Sequence, residues 1–358
     1  MKKVLYIGYQ SLNLSDSGGA LGCIRNHDSL EQIFGKDNVE TFVLKGTSKP
    51  SFCQKLHNNY VRLFHKMPFP IDDLKDIEFN KYHSIFIDSS RLGSIAKIIR
   101  RKDYRGKIVV FFHNFDYKFI CDFYSSASSI KKWINVRVSL SNEEDAITYS
   151  DINIILNKRD SDEMRLFYNL KNEYRIPVSL HDRYSKNNCC SPYKNTGKPV
   201  FLFVGSHFFG NVVGLDWFMR EVFPYVNIQF VIVGKDMFKL KSNPLYKNIE
   251  IYSDVQDINP YIIHANCMLM PLIGGSGMKI KTCESLMFGK NIIGTNEAFE
   301  GYEIDIDKVG KCCNNAESFI KAINNFNMPM FNEYSRKIFL EKYSFSATLQ
   351  QFKYIMEL

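Results

Sequence analysis

No stretch of this chain approaches the ~18 consecutive apolar residues that a membrane-spanning helix needs. The N-terminus, Met1-Lys2-Lys3-Val4-Leu5-Tyr6-Ile7-Gly8, begins as a secretory leader begins, but the apolar run stops at Gly8-Tyr9-Gln10. That is too short for a leader's hydrophobic region, and no small-residue cleavage site follows. A first β-strand and a cytoplasmic chain are expected instead. C-x-x-C and H-x-x-x-H are both absent, and nine cysteines is an odd number. Cys189-Cys190 and Cys312-Cys313 are adjacent pairs without partners at zinc spacing. A disulfide framework and a spaced zinc site are therefore not expected, reduced thiols are, and no metal is assigned. No repeat recurs at a fixed period of roughly 20–50 residues, which argues against solenoids and propellers. Gly8 is followed by Tyr9-Gln10-Ser11-Leu12, so the G-x-G-x-x-G dinucleotide fingerprint does not follow the first strand.

What is present is an ordinary soluble composition in 358 residues, with 45% apolar and 23% charged residues. At roughly 100–200 residues per domain, two domains are the easier count. The net charge is +8 and uneven. Residues 1–180 carry 27 Lys and Arg against 21 Asp and Glu, and residues 181–358 carry 19 against 17. This is too mild for a nucleic-acid binder. It suits either plain solubility or a surface that meets anionic lipid or a phosphorylated ligand.

Short apolar runs alternate with amphipathic stretches. Strands are expected at 4–8, 39–44, 84–88, 108–113 and 152–156, with helices near 20–34, 53–65, 92–102, 128–148 and 159–171. Residues 176–199 hold three prolines and several Asn and Ser, a linker composition. The pattern then restarts, with strands at 200–205, 228–234, 249–252, 267–271 and 291–294. Helices follow near 212–223, 257–264, 277–288, 316–325 and 331–342, and a last amphipathic segment covers 345–356. Alternation of this kind specifies α/β domains with doubly wound parallel sheets. The expected division is 1–178, a linker 179–199, a second domain 200–342, and a C-terminal helix 343–358 returning to the first domain. Ligands of such sheets bind outside the carboxyl ends of the strands, so the two domains are expected to face each other across a cleft.

The densest signal runs from Pro271 to Thr295. Gly274, Gly275 and Gly277 follow a buried strand and precede a helix expected to open near Gly277. Unpaired amides at a helix N-terminus, with the positive end of the macrodipole behind them, bind phosphate. Lys279 and Lys281 stand in the expected first turn, where a cation is unfavourable unless an anion arrives. Glu284, further along, has the chemistry to accept two hydrogen bonds from a ribose diol. The plainer alternative is a glycine turn before a core helix with solvated Lys and Glu.

This segment resembles the donor-binding signature of family 4 of the retaining glycosyltransferases, whose GT-B architecture joins two Rossmann-like domains. Many members read Gly-Ser-Gly-Met-Lys-x-Lys, two residues, then Glu, as residues 275–284 do here. Glu300-Gly301 fits the motif that follows, and Val204-Gly205-Ser206 with Asn211 through Phe218 looks like the first strand and helix of the same domain. The resemblance implies that Asn211, Gly275, Ser276, Gly277, Met278, Lys279 and Glu284 bind a nucleotide-sugar donor. It implies that Gly18 and Gly19, after Ser17 and before Arg25, lie beside the sugar and diphosphate. It also implies that His113, ending Phe111-Phe112-His113, is an active-site histidine; a satisfied structural histidine is the alternative.

Two departures stand out. Ser276 occupies the position of a Glu that usually contacts the transferred sugar, and Ser206-His207-Phe208-Phe209-Gly210-Asn211 replaces the usual Arg and Lys. Lys279 or Lys281 is expected to supply the missing charge, with Lys281 favoured and grouped with His113 as catalytic.

The implied activity is metal-independent, retaining transfer of a hexose-type sugar from a nucleoside diphosphate to a glycan or lipid-linked acceptor, in surface polysaccharide or glycoconjugate synthesis. The donor is a co-substrate, so no cofactor is implied. Asp160-Ser-Asp162 and Asp305-Ile-Asp307 have D-x-D spacing but are read as solvated surface. The basic run Lys97 to Lys107 and the Trp133 segment suggest contact with an anionic membrane, at the inner face of the plasma membrane; solvated helix ends are the alternative. Competing readings are a non-catalytic nucleotide-sugar-binding paralogue and, more distantly, an NAD-dependent dehydrogenase.

Overall fold

The computed structural model describes residues 2–10, 12, 18–44, 51–66, 74, 76–123, 129–185, 190–247 and 249–358. It forms two compact units. The first contains Gly19–Pro177, the start of the chain and Leu349–Leu358, and the second contains Val178–Thr348.

The first unit is built on six parallel strands in the order β2-β1-β3-β4-β5-β6. These are β1 (Val4–Gly8), β2 (Val39–Val43), β3 (Ser84–Ile87), β4 (Lys107–Phe112), β5 (Ile152–Ile155) and β6 (Glu173–Arg175). Strands β1, β3 and β5 are buried along their whole length, and β4 is buried after Lys107. That is why they read as continuous Val, Ile and Phe runs: helices cover both faces of a parallel sheet. Phe352 of the helix Phe345–Glu357 is fully buried against Phe86, with ring centroids 5.7 Å apart.

The second unit has strands β7 (Val200–Val204), β8 (Gln229–Gly234), β9 (Glu250–Ser253), β10 (Cys267–Met270), β11 (Asn291–Gly294) and β12 (Gly310–Cys312). Their order is β12-β11-β10-β7-β8-β9, all parallel. Counted within the unit this is 3-2-1-4-5-6, the Rossmann order. Its direction reverses between β7 and β10, and the first sheet reverses between β1 and β3. Both switch points open at carboxyl strand ends.

All ten expected strands form, within a residue or two of their expected ends. The edge strands β6 and β12 and the helix Asp116–Phe123 were not anticipated. Residues 179–199 are bound to the second unit where described. Leu180 bridges to Ser344, Arg336 Nη1 donates to Asp182 at 2.8 Å, and Thr196 Oγ1 donates to Gln229 at 2.6 Å. The eight described cysteines are free thiols. No described helix is long and apolar enough to cross a membrane.

Candidate functional site

In the second unit the loop after β7 and the loop after β10 emerge on either side of the switch point. Gly205 begins the first loop. A Cβ there would lie 2.9 Å from Phe203 Cε1, 3.0 Å from the Asn211 amide nitrogen and 3.2 Å from the Lys281 ammonium, so a larger residue would require these side chains to shift. Asn211 lies in the helix Phe209–Glu221 and is anchored by donating to the Ser206 carbonyl at 2.9 Å. Its side-chain oxygen accepts from Lys281 Nζ at 2.8 Å, and the same ammonium lies 4.3 Å from the centre of the Phe203 ring. Among the described residues Asn211 is the one hydrogen-bond partner of that ammonium. Burial, with the charge of Lys279 second, pushes the Lys281 pKa down to about 7. The site thus holds a poorly solvated cation that an arriving anion would stabilise.

The glycine loop corrects one expectation. The helix runs Ile280–Met287, so it opens three residues later than Gly277, and Lys279 is its N-cap. Lys279 is not an available first-turn cation. Its Nζ pairs with Glu297 Oε1 at 2.6 Å and donates to the carbonyls of Ser276 and Gly277 at 3.0 and 3.1 Å. Those contacts fold the loop back on itself, with Gly275 and Gly277 at positive φ. Gly275 is exposed, Ser276 partly so, and Gly277 buried. Met278 is buried, and its sulfur accepts the Val178 amide.

Glu284 is buried and held by Arg183, whose Nη2 donates to Oε1 at 2.5 Å. Burial raises its pKa and Arg183 opposes the rise. Arg183 lay in the segment of linker composition, where nothing local marks it.

Gly18 and Gly19 open the helix Gly18–Phe34, which belongs to the first unit from Gly19 onward, while Gly18 is grouped with the second; Ser17 lies outside the described residues. One face of this helix meets the carboxyl ends of β3 and β4. His113 directly follows β4, and its Nε2 lies 3.0 Å from Asp88 Oδ1 and 3.7 Å from Cys23 Sγ. Asp88, fully buried just after β3, also accepts from Tyr6 Oη and Asn26 Nδ2, both at 2.5 Å. Burial, then the charge of Asp88, pushes the Tyr6 and Cys23 pKa values up. Cys23, Asp88 and His113 form a donor set of the kind zinc accepts. The one other such cluster among the described residues is His27, Asp28 and Glu31, all partly exposed.

Of the two D-x-D motifs, Asp162, Asp305 and Asp307 lie at the surface as expected, and Asp160 does not. Asp160 is buried, with its amide bound to the Asn157 cap, while Asp162, Asp305 and Asp307 pair with nearby lysines. Within the basic run, Lys97 pairs with Asp145, Arg100 with Asp151, and Lys107 donates to the Met356 carbonyl. These cations are committed within the unit. Ile130 and Trp133 remain exposed, with the Arg137 guanidinium 5.1 Å from the Trp133 ring centre.

Comparison with known proteins follows this geometry. Residues 198–326, a little over a third of the chain, match the family model described as glycosyl transferases group 1. No curated protein matches the chain by sequence. Among solved structures, Anabaena HepE in complex with UDP-glucose is 11% identical, with full coverage of both chains and a TM-score of 0.65. The catalytic domain of Arabidopsis thaliana starch synthase IV, bound to ADP and acarbose, is 10% identical, with 99% of each chain covered and a TM-score of 0.66. S. aureus TarM is 13% identical with a TM-score of 0.59, over 80% of this chain and 57% of TarM, so this chain spans less than two thirds of that protein's length. At these identities the likeness establishes a shared fold of two Rossmann-like domains.

Proposed function

We propose that the chain is a retaining glycosyltransferase that moves a sugar from a nucleoside-diphosphate donor to a glycan or lipid-linked acceptor. The observation that carries this reading is the Lys281 ammonium, seated at the β7/β10 switch point with Asn211 and Phe203 and the helix start behind it. The match of residues 198–326 to group 1 glycosyl transferases supports it. Cleaving the donor's glycosidic bond builds negative charge on the diphosphate and positive charge on the sugar. Lys281 and the amides at the start of Ile280–Met287 take up the first, as preorganised electrostatic groups do without reorganising during reaction. We assign them the work that a divalent metal does in metal-dependent transferases. Glu284, oriented by Arg183, takes the ribose, and His113 contacts the sugar. A leaving diphosphate oxygen accepts the acceptor's proton, so no dedicated nucleophile is needed.

Peripheral contact with an anionic membrane, and with it a lipid-linked acceptor in surface polysaccharide synthesis, is part of the proposal. The support is the exposed Ile130 and Trp133 among Lys131, Lys132 and Arg137, more than the run at 97–107, where Lys97, Arg100 and Lys107 are bound within the unit. Trp133→Ala is expected to lose co-sedimentation with anionic vesicles; retention would remove this part.

Ser276, standing where a sugar-contacting Glu is usual, favours one second reading, a nucleotide-sugar binder without turnover. A thermal-shift screen across UDP-, GDP-, dTDP- and ADP-sugars, followed by slow hydrolysis of the stabilising donor in EDTA, separates the two. Stabilisation with hydrolysis supports the transferase, stabilisation without turnover even with acceptor extracts supports the binder, and stabilisation by none of the donors defeats both.

A further inference from the structure

Three donor atoms converge at the carboxyl ends of β3 and β4, each from a different element. Cys23 comes from the helix Gly18–Phe34, Asp88 directly follows β3, and His113 directly follows β4. Glycine at 22 lets the helix lie against the imidazole, since a Cβ there would stand 3.2 Å from His113 Cε1. His113 Nε2 is 3.0 Å from Asp88 Oδ1 and 3.7 Å from Cys23 Sγ, and the three donor atoms all lie within 4.8 Å of one another. A tetrahedral zinc ion, with bonds of about 2.0–2.3 Å, holds such donors roughly 3.3–3.6 Å apart. The two measured spacings bracket that range, so a cation fits among these atoms with small side-chain shifts.

The surroundings complete the site. Tyr6 Oη donates to Asp88 Oδ2 and Asn26 Nδ2 donates to Oδ1, both at 2.5 Å, and together they fix the carboxylate. A carboxylate oxygen has two lone pairs, so Oδ1 keeps one for the side of His113 Nε2. Carboxylates that bind metals are oriented by hydrogen bonds of this kind. Cys23 and Asp88 are almost fully buried, whereas the His113 side chain is 18% exposed, so a cation enters past the imidazole. The donors select the ion. Sulfur and imidazole nitrogen beside one carboxylate suit zinc and its neighbours, not magnesium or calcium, which prefer oxygen. Charge balance points the same way. On binding, the Cys23 thiol gives its proton to solvent as the sulfur–metal bond forms. The neutral imidazole gives Nε2 to the metal and carries its hydrogen on Nδ1. Thiolate and carboxylate then cancel the charge of a divalent cation, so no net charge is buried. Without metal, burial and the neighbouring carboxylate keep Cys23 a thiol.

We propose that Cys23, Asp88 and His113 form a binding site for a divalent cation of the zinc class, and that the bound cation inhibits the protein. The site stands on its own geometry. The inhibition rests on the proposed place of His113 in sugar transfer, because a metal-bound imidazole is withdrawn from the substrate. The metal is a regulator here, not a cofactor. Its ligands lie far apart in sequence, which is why no zinc spacing marks them.

Cobalt(II), added alone to the metal-free full chain, reads the site without reference to activity. The expected result is one equivalent bound, with a thiolate-to-cobalt charge-transfer band and the intense visible bands of a four-coordinate ion. Zinc should displace them and magnesium should not. Cys23→Ala is expected to lose the charge-transfer band and to weaken zinc binding at least about 100-fold, and Asn26→Ala, which releases the carboxylate, to weaken it about tenfold. No band in the wild type, or an undiminished band in Cys23→Ala, overturns the site. If Cys23→Ala does not fold, X-ray absorption of the wild type with one equivalent of zinc decides: one sulfur in the shell supports the site, and none overturns it. Turnover tests the second half. Zinc is expected to inhibit the wild type, whereas Cys23→Ala, with near wild-type turnover in EDTA, should need at least about 100-fold more. Undiminished turnover of zinc-saturated protein overturns the inhibition and, with the cobalt spectrum as expected, removes His113 from the transfer site while the metal site stands. A protein that turns over no donor defeats the proposed function, and the spectra still decide the site.

Discussion

At Lys281 the chain keeps a cation where water is scarce, and with burial pushing its pKa down to about 7, the proposed donor binding would be coupled to proton uptake. An anion bound beside the ammonium raises that pKa. Donor affinity is therefore expected to be flat below pH 7 and to fall above it, at most about tenfold per pH unit, because one proton is taken up on binding. Titration calorimetry of the nucleoside diphosphate across pH 6–9 checks this, and a slope that survives in Lys281→Met would assign it elsewhere. The same shift has a stability sign. The folded pKa lies below the ordinary lysine value, so between pH 7 and about 10 the unfolded chain binds more protons and folding gains as pH rises. Below pH 7 the cost of the desolvated charge is fully present. Lys281→Met is accordingly expected to raise the melting temperature of the ligand-free protein while weakening diphosphate binding about 30-fold or more. A variant that melts lower would mean that the Asn211 contact outweighs the desolvation. A higher melting temperature together with weaker diphosphate binding in Lys281→Met would be the pattern of a binding group and not of a core lysine.

At the level of the element, the loop between β10 and the helix Ile280–Met287 is tied by the Lys279–Glu297 pair as well as turned by its glycines. Both side chains are about 15% exposed, so the pair is well shielded and breaking it leaves a charge poorly solvated. Lys279→Met, Glu297→Gln and the double variant are expected to weaken donor binding by similar factors, about tenfold each, because the two act as one unit. Additive losses would mean that Lys279 touches the donor directly. This loop also shows where sequence reading stops. Periodicity and residue type located the strand ending at Met270, the glycine turn and the helix after it, since each is a local property. They placed the helix start at Gly277 because glycine and a first turn look alike without the tertiary partner. Glu297, 18 residues on, is what turns Lys279 inward and delays the helix. The helix Asp116–Phe123 was invisible for the same reason. Its first amides, of Asp116 and Tyr117, are capped by Glu143 from another helix at 2.7 and 3.1 Å. The three-residue edge strands β6 and β12 are too short to carry a period. His113 was legible because it ends an apolar strand, but Asp88 became its partner only through the parallel pairing of β3 with β4. Arg183 was hidden by the linker composition around it.

Over the whole molecule, the composition that allowed two domains does not say which residues stabilise which. Leu349–Leu358 belong to the first unit although they follow the second in sequence. Phe352, Ile355 and Met356 are almost completely buried, and Phe352 adjoins both Phe86 of β3 and the Arg25 guanidinium, the latter 5.9 Å from its ring centre. Lys107 at the start of β4 donates to the Met356 carbonyl at 3.2 Å. The last turns of the chain are thus core of the first sheet, and a defect there is expected to act locally. Phe352→Ala should cost about 3–5 kcal/mol, the usual loss for a buried phenylalanine. Because the two units have separate cores, hydrogen exchange should localise the loss. Peptides covering β3 and β4 are expected to lose protection, whereas peptides covering β7 and β8 and the stabilisation conferred by a bound donor remain near wild type. Uniform loss of protection across both sheets would instead show that the units unfold as one cooperative body, and the second unit would then depend for its stability on Leu349–Leu358.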